Sequence, residues 1–143
     1  MRRPSDRPKS DSLLTVGYVE EIDLPDWRVY ALTAKLDTGA RSSALHVENM
    51  SAWEDDWVTF DVPLTSGARS HVEAQLVRRG QVRSTSGKVE WRNFVATRLC
   101  LGPIEREIEI GLVDRSTMNY RMLLGRAALA GGCMVDPARS FLL

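Results

Sequence analysis

The stretch Val29 to Val47, VYALTAKLDTGARSSALHV, carries the most informative pattern in this sequence of 143 residues. Its first part, Val29 to Leu36, alternates apolar with polar residues, which is the pattern of a half-buried strand. The predicted inward face consists of Tyr30, Leu32, Ala34 and Leu36. Asp37 follows this strand directly, and Gly39 allows a tight turn there. Ser42 to Val47 predicts a second short strand, so the pattern indicates an aspartate held between two strands.

Turn residues divide the rest of the chain into short apolar runs, a pattern typical of an all-β protein. The predicted strands cover residues 14–21, 29–36, 42–47, 57–63, 70–77, 81–84, 88–101, 104–113, 121–124, 133–135 and 139–142. We expect two hairpins, one around the polar turn at 64–69 and a longer one with Gly87 at its tip. Gly125 to Ala130 has the alanine and leucine content of a short helix, which Gly131 and Gly132 would end.

Composition and charge exclude several classes of function. A hydrophobic share of 43% and a charged share of 27% suit one globular domain, which we expect over residues 14–143. Lys and Arg number 19, as do Asp and Glu, so no overall field would attract nucleic acid or an anionic membrane. Residues 1–13 read as a disordered basic tail without the apolar stretch of a signal peptide. Cys100 and Cys133 are too few for a disulfide framework, so we expect a cytoplasmic protein.

Four blocks of sequence, taken in order, resemble one protein family. They are Lys35 to His46, Val82 to Ser84, Met122 to Arg126 and Val135 to Ser140. Together they are similar to the bacterial retropepsin-like aspartic endopeptidases, which are commonly labelled ATP-dependent zinc proteases. The resemblance covers Thr15 to Leu143. It implies a closed β-barrel of the acid-protease fold with one short helix near the carboxyl terminus.

The resemblance implies that Asp37 is catalytic. Aspartic proteolysis needs two carboxylates about 3 Å apart that share one proton, and this chain has one Asp-Thr-Gly. We therefore expect a homodimer with two-fold symmetry in which each subunit contributes Asp37. The loop would be supported by Thr38, Gly39 and Ala40. Thr38 would bond across the two-fold axis, and the Gly39 amide would donate to a carboxylate.

The longer hairpin, Gln81 to Phe94, is expected to be a flap that covers an extended peptide and pairs with it as an added strand. The resemblance implies that its substrate-binding residues are Arg83, Ser84, Thr85, Ser86 and Gly87. No cofactor is expected. The expected partners are a second copy of the chain and an extended peptide or protein tail.

Three further residues are candidates for lining the site: Arg41, His46 and Arg126. Each has a structural alternative, because an arginine near a turn is more often in a surface ion pair and a buried histidine is more often simply hydrogen-bonded. The sequence also departs from viral retropepsins, which usually carry an acidic residue at the position of Arg41 and Asn or Asp at that of Ala127. A second interpretation therefore stays open, a non-proteolytic module that binds a peptide tail or regulates an ATP-grasp amino-acid ligase.

The metal and nucleotide of the family label have no motif in this sequence. His46 and His71 are far apart and lie in separate predicted strands, unlike the paired histidines of zinc hydrolases. A zinc site assembled in space from these two residues and a carboxylate remains a lesser alternative. A phosphate-binding loop is not expected, because Gly131 and Gly132 lack the lysine that such a loop requires.

Overall fold

The structure is a computed structural model and describes residues 13–83 and 87–143. Its strands are β1 (Leu14–Gly17), β2 (Val19–Leu24), β3 (Val29–Leu36), β4 (Ser43–His46), β5 (Glu48–Ala52), β6 (Trp57–Pro63), β7 (Arg69–Arg83), β8 (Val89–Leu101), β9 (Ile104–Val113), β10 (Met122–Leu124) and β11 (Cys133–Asp136). The helix α1 spans Arg126–Leu129, and short 3-10 turns occupy Pro25–Trp27 and Glu54–Asp56. In this described part of the chain, no helix is long and apolar enough to cross a membrane.

The strands close into a barrel. Neighbouring strands pair in the order β2, β3, β10, β4, β9, β8, and the pairing of Asp23 with Cys100 joins β8 back to β2. β7, β6 and β5 extend the sheet outward from β8, while β1 and β11 form a separate parallel pair. The prediction of an all-β, closed barrel with one short helix near the carboxyl terminus is confirmed.

Alternate residues of the barrel strands fill the interior, because successive side chains of a strand point to opposite faces. The best-buried side chains of the barrel wall belong to Ile22, Leu24, Leu36, Leu45, Leu99, Leu101, Ile110, Leu112, Met122 and Leu124. Burial of this aliphatic set supplies the main driving force for folding. The core therefore depends on the period-two pattern seen in the sequence.

One side chain of β3 does not lie where the alternation predicts. Tyr30 was expected to face the interior, but 59% of it is exposed. Ala31 has a φ of 53°, and the pairing of β2 with β3 is irregular between Ile22 and Leu24. This irregularity turns Tyr30 outward, after which the alternation resumes with the buried residues Leu32, Ala34 and Leu36.

Several strand boundaries also differ from the prediction. The strand expected over 14–21 is two strands, because the chain bends at Tyr18 and only β2 enters the barrel. The strand expected over 70–77 and the described part, 81–83, of the strand expected over 81–84 both belong to β7, which is irregular at Val77 but continuous. β5 was not predicted, since it is largely exposed and has no alternation of apolar residues. Residues 1–12 of the tail expected at 1–13 lie outside the described residues.

The carboxyl-terminal segment is fastened to the barrel by a buried carboxylate. The strand expected over 139–142 does not form. Instead, Glu20 Oε2 accepts hydrogen bonds from the amides of Gly17 at 2.7 Å and Leu142 at 3.0 Å, and its Oε1 accepts one from Leu143 at 3.4 Å. Glu20 is 1% exposed. Its side chain therefore supplements two backbone hydrogen bonds of this segment, in which the Tyr18 amide donates to the Arg139 carbonyl and the Phe141 amide donates to the Val19 carbonyl, both at 2.9 Å.

Replacement of Glu20 by alanine is predicted to destabilise the protein by about 3 kcal/mol, because the buried Gly17 amide and the part-buried amides of Leu142 and Leu143 lose their acceptor. Glu21→Ala is the matched control, since Glu21 is the next residue and is exposed. We expect the control to change the free energy of unfolding by less than about 0.5 kcal/mol. Urea unfolding of both variants measures the difference, and equal values for the two would contradict the role given to Glu20.

Candidate active site

The position of Asp37 is set by β10, which lies between β3 and β4. β10 runs parallel to β3 and antiparallel to β4, and Leu124 is paired with Leu36. The chain therefore leaves both parallel strands at the same level, which places Asp37 beside Gly125. The Asp37 amide donates to the Leu124 carbonyl at 2.8 Å and continues the ladder by one bond. Two segments that are distant in sequence thus meet at the candidate catalytic loop.

Short hydrogen bonds order the loop from Asp37 to Ala40. The Gly39 amide donates to Asp37 Oδ1 at 2.9 Å, and the Ala40 amide donates to the Asp37 carbonyl at 3.2 Å. Gly39 does not have a positive φ, so the turn does not use the left-handed region of backbone conformation. A Cβ atom at this position would lie 3.2 Å from Asp37 Oδ1. Glycine is therefore favoured because the carboxylate approaches its backbone closely.

Arg126 holds the backbone of this loop. Its amide donates to the Ala40 carbonyl at 2.8 Å, and its Nη1 donates to the Thr38 carbonyl at 3.0 Å. The side chain thus bonds a main-chain oxygen and leaves the Asp37 carboxylate to Gly39. Arg126 is a positioning residue of the loop. The Thr38 bond across a two-fold axis stays a prediction.

Gly125 lets the two segments approach. A Cβ atom here would lie 2.6 Å from the carbonyl oxygen of Ser42, which is backbone and has little freedom to move. The Gly125 amide donates to Ser43 Oγ at 3.1 Å, and this hydroxyl is buried. The sequence analysis did not select Ser43, because a serine at the start of a short strand gives no chemical signal. The contact connects β4 with the start of α1.

Arg41 and His46 lie in different environments. Arg41 is exposed and lines a groove of about 610 Å³ that also borders α1 and the arms of the long hairpin. His46 is 2% exposed, and its Nδ1 accepts a hydrogen bond from the Arg115 amide at 2.9 Å. The structural interpretation of His46 therefore fits its surroundings, while Arg41 is available to a ligand.

The residues of the zinc alternative do not converge. His71 Nδ1 lies 2.8 Å from Asp61 Oδ1, and the nearest carboxylate to His46 is that of Glu48, 4.0 Å away. A hydrogen bond from Asn49 lowers the pKa of Asp61, and His71 adds to the effect. Over residues 13–83 and 87–143, no group of three or more His, Cys, Asp or Glu side chains is arranged to hold a metal ion.

The expected flap is an antiparallel hairpin of β7 and β8, paired from Leu76 with Val95 to Arg83 with Val89. Arg83 is exposed near its end, and Gly87 has a φ of 84°, as expected for a glycine in a turn. The remaining predicted flap residues, Ser84, Thr85 and Ser86, lie outside the described residues.

The arm of this hairpin carries an excess of positive charge. Glu90 accepts a hydrogen bond from Arg115 Nη2, and its other oxygen lies 3.8 Å from Arg92 Nη2. Burial lowers the pKa of Arg92, and the charge of Arg115 adds to this shift. Two guanidinium groups therefore share one carboxylate. An anionic group would be attracted to this part of the hairpin.

The groove beside Arg41 contains residues that the sequence analysis did not select. They are Arg78 and Phe94 on the hairpin and Glu109 on β9. Residues 78–80 lay between two predicted strands, 70–77 and 81–84. Only the register of the folded sheet places these side chains next to Arg41, so the pattern along the chain gave no sign of them.

Comparison with known proteins supports the same assignment. The family described as RimB-like, retropepsin-like aspartic endopeptidase RimB, matches residues 15–143. A crystal structure of Lpg0085, a DUF785 protein of unknown function from Legionella pneumophila, is 34% identical with a TM-score of 0.76 and covers 90% of this chain and 97% of that one. The resemblance predicted from the four sequence blocks is confirmed.

Curated relatives connect the chain with a ligase. A Shewanella halifaxensis protein described as "Probable alpha-L-glutamate ligase" is 34% identical over 94% of this chain. A Parasynechococcus marenigrum protein with the same description is 38% identical over 89% of this chain. The chain spans only 31% and 28% of the lengths of these two relatives.

Gly125→Ala is predicted to destabilise the protein by about 2 kcal/mol, because the new methyl group would overlap a fixed carbonyl. Its backbone has a φ of −89°, which alanine adopts freely, so the effect is one of space. Gly132→Ala is the control, since there a Cβ atom would meet the movable end of Arg106 at 3.0 Å. Thermal unfolding compares the two variants, and a smaller loss for Gly125→Ala would contradict the close approach.

Proposed function

We propose that this chain, which belongs to the RimB-like family of retropepsin-like aspartic endopeptidases, hydrolyses peptide bonds as a homodimer. The observation that carries the proposal is the position of Asp37 at the joined ends of β3 and β10, with its Oδ1 bound by the Gly39 amide. An ordered carboxylate on a rigid loop suits catalysis, because preorganised groups need little rearrangement in the transition state. The reaction takes place in the cytoplasm in this proposal.

The proposed chemistry needs Asp37 from each of two subunits. Two carboxylates about 3 Å apart share one proton, since both cannot be ionised at that distance. The ionised carboxylate removes a proton from water, whose oxygen attacks the peptide carbonyl, while the protonated carboxylate donates its proton to the carbonyl oxygen. Collapse of the tetrahedral intermediate breaks the C–N bond, and a proton passes to the leaving nitrogen.

The proposed substrate is a peptide tail rich in glutamate. The relatives described as alpha-L-glutamate ligases contain a region similar to this chain, and a peptidase associated with such a ligase would act on its product. The guanidinium groups of Arg41 and Arg78 border the groove next to the catalytic loop and suit carboxylates. A glutamate ligase is also the proposed protein partner.

A second candidate is a non-proteolytic module that binds the same kind of tail. The observation in its favour is that the curated relatives are described as ligases, without a protease in the description. Such a module would use the groove and the hairpin but would not need the charge of Asp37. The two candidates therefore differ in their response to one substitution.

Asp37→Asn is predicted to lower kcat/KM by at least about a thousandfold while the fold and the dimer persist, because the amide cannot share the catalytic proton. Wild type and variant are incubated with oligoglutamate and with mixed unstructured peptides from acid to neutral pH, and mass spectrometry detects cleavage. Binding without cleavage by the wild type favours the second candidate. Cleavage that stops only when a chelator is added favours the zinc alternative.

Mixing experiments test whether two subunits share the site. In a ninefold excess of Asp37→Asn chains, the activity per wild-type chain is predicted to fall to about a tenth, because only about one wild-type subunit in ten then pairs with another. Substrate is kept in excess so that the variant does not deplete it. The same excess of serum albumin is the control, and full activity after complete exchange of subunits would refute a shared site.

A further inference from the structure

We propose that Arg78 binds an acidic side chain of the substrate and that Glu109 occupies its guanidinium group when no peptide is bound. The inference rests on the proposed function and names one residue that contacts the proposed substrate. Arg78 Nε donates to Glu109 Oε1 at 2.9 Å. Glu109 would then be a built-in competitor that sets how tightly an acidic peptide binds.

The guanidinium of Arg78 lies on an aromatic platform. Its Cζ is 3.9 Å from the centre of the Phe94 ring, and Phe94 is only 1% exposed. Arg78 pairs with Phe94 across β7 and β8, and Phe94 pairs with Gly111 across β8 and β9. Stacking on a ring fixes the plane of a guanidinium and leaves its edge to form hydrogen bonds.

Two glycines make room for this platform. A Cβ atom on Gly80 would collide with Arg78 Nη1 and would lie 3.0 Å from Phe94 Cε2. A Cβ atom on Gly111 would lie 3.1 Å from Phe94 Cε1. Glycine within a strand weakens the sheet and often marks a place where another group approaches closely. Here the group is the stacked arginine, so the sheet is shaped around it.

The bond between Arg78 and Glu109 is suited to exchange. The side chains are 48% and 47% exposed, and an ion pair in water contributes little to stability. A guanidinium has five N–H donors, of which the Nε–H donates to Glu109. A glutamate of the substrate carries the same carboxylate as Glu109, so it would accept the same hydrogen bond from Arg78 in place of Glu109.

The position of this pair connects it with the catalytic loop. Arg78 and Glu109 line the groove of about 610 Å³ that is also lined by Arg41, four residues after Asp37. Within the described residues, Arg41 has no carboxylate within 4.0 Å. Glu107 also borders the groove, so the charges of the lining residues balance until Glu109 is displaced or neutralised.

The test measures binding in the Asp37→Asn background, where no cleavage is expected. The probe is fluorescein-labelled tetraglutamate, with tetraglutamine as the neutral counterpart, and fluorescence anisotropy gives Kd. Glu109→Gln is predicted to lower Kd for tetraglutamate about tenfold, because Arg78 is released and a like charge is removed. Arg78→Gln is predicted to raise Kd for tetraglutamate about tenfold, because the guanidinium group that binds the acidic side chain is removed. Tetraglutamine binding changes in neither variant.

The chain offers a matched control pair. Arg98 and Glu105 form an ion pair of 2.8 Å with similar exposure, and Glu105 lies on the same strand as Glu109 but outside the groove. Glu105→Gln and Arg98→Gln are expected to leave Kd within about twofold, since neither residue borders the ligand. Gly80→Ala keeps Arg78 but displaces its guanidinium, so it is predicted to raise Kd for tetraglutamate alone.

An unchanged or higher Kd in Glu109→Gln would overturn the inference, because Glu109 would then position Arg78 rather than compete for it. Absence of saturable tetraglutamate binding would overturn it as well. Failure of the proposed function gives a different result, which is that chains retaining Asp37 do not cleave peptides. The two results are separable because the binding assay requires no hydrolysis.

Discussion

The pairing of β10 between β3 and β4 is the constraint on which the candidate site depends. It brings Leu124 level with Leu36 and lets the Leu124 carbonyl accept a hydrogen bond from Asp37. The start of α1 then lies against the candidate catalytic loop, where Arg126 binds the carbonyls of Ala40 and Thr38. Gly125 is essential to this arrangement because the Ser42 backbone leaves no space for a side chain. The loop is thus held by main-chain hydrogen bonds and by the side chain of Arg126.

Much of this fold follows from local pattern. The bounds predicted for β3, β6 and β9 agree with the structure, because each strand combines recurring apolar residues with turn residues at both ends. Tyr30 and β5 could not be predicted in this way. The orientation of Tyr30 depends on an irregular pairing with β2, and β5 forms an exposed extension of the sheet with no buried face to record in its sequence. The period-two pattern of apolar residues records which face of a strand is buried, so it does not predict exposed strands or irregular pairing.

The candidate site was predictable only in part. The Asp-Thr-Gly-Ala loop is continuous in sequence, so a motif could identify it. The groove beside it is assembled across β7, β8 and β9, and the contact of Arg78 with Glu109 depends on the register of those strands. Local sequence also could not distinguish Arg41 from Arg126. Both lie near the loop, yet Arg126 binds the backbone of the loop and Arg41 lines the groove.

The insertion of β10 has a consequence for the order of assembly. β3 and β4 are made well before β10, their shared neighbour. Contacts between segments so far apart in sequence slow folding, since the chain must close a long loop before they are rewarded. The gap between β3 and β4 can be filled only after Leu124 has left the ribosome. Until then a nascent chain lacks the Leu124 carbonyl that accepts a hydrogen bond from the Asp37 amide, and it lacks the Arg126 side chain that binds the Thr38 carbonyl.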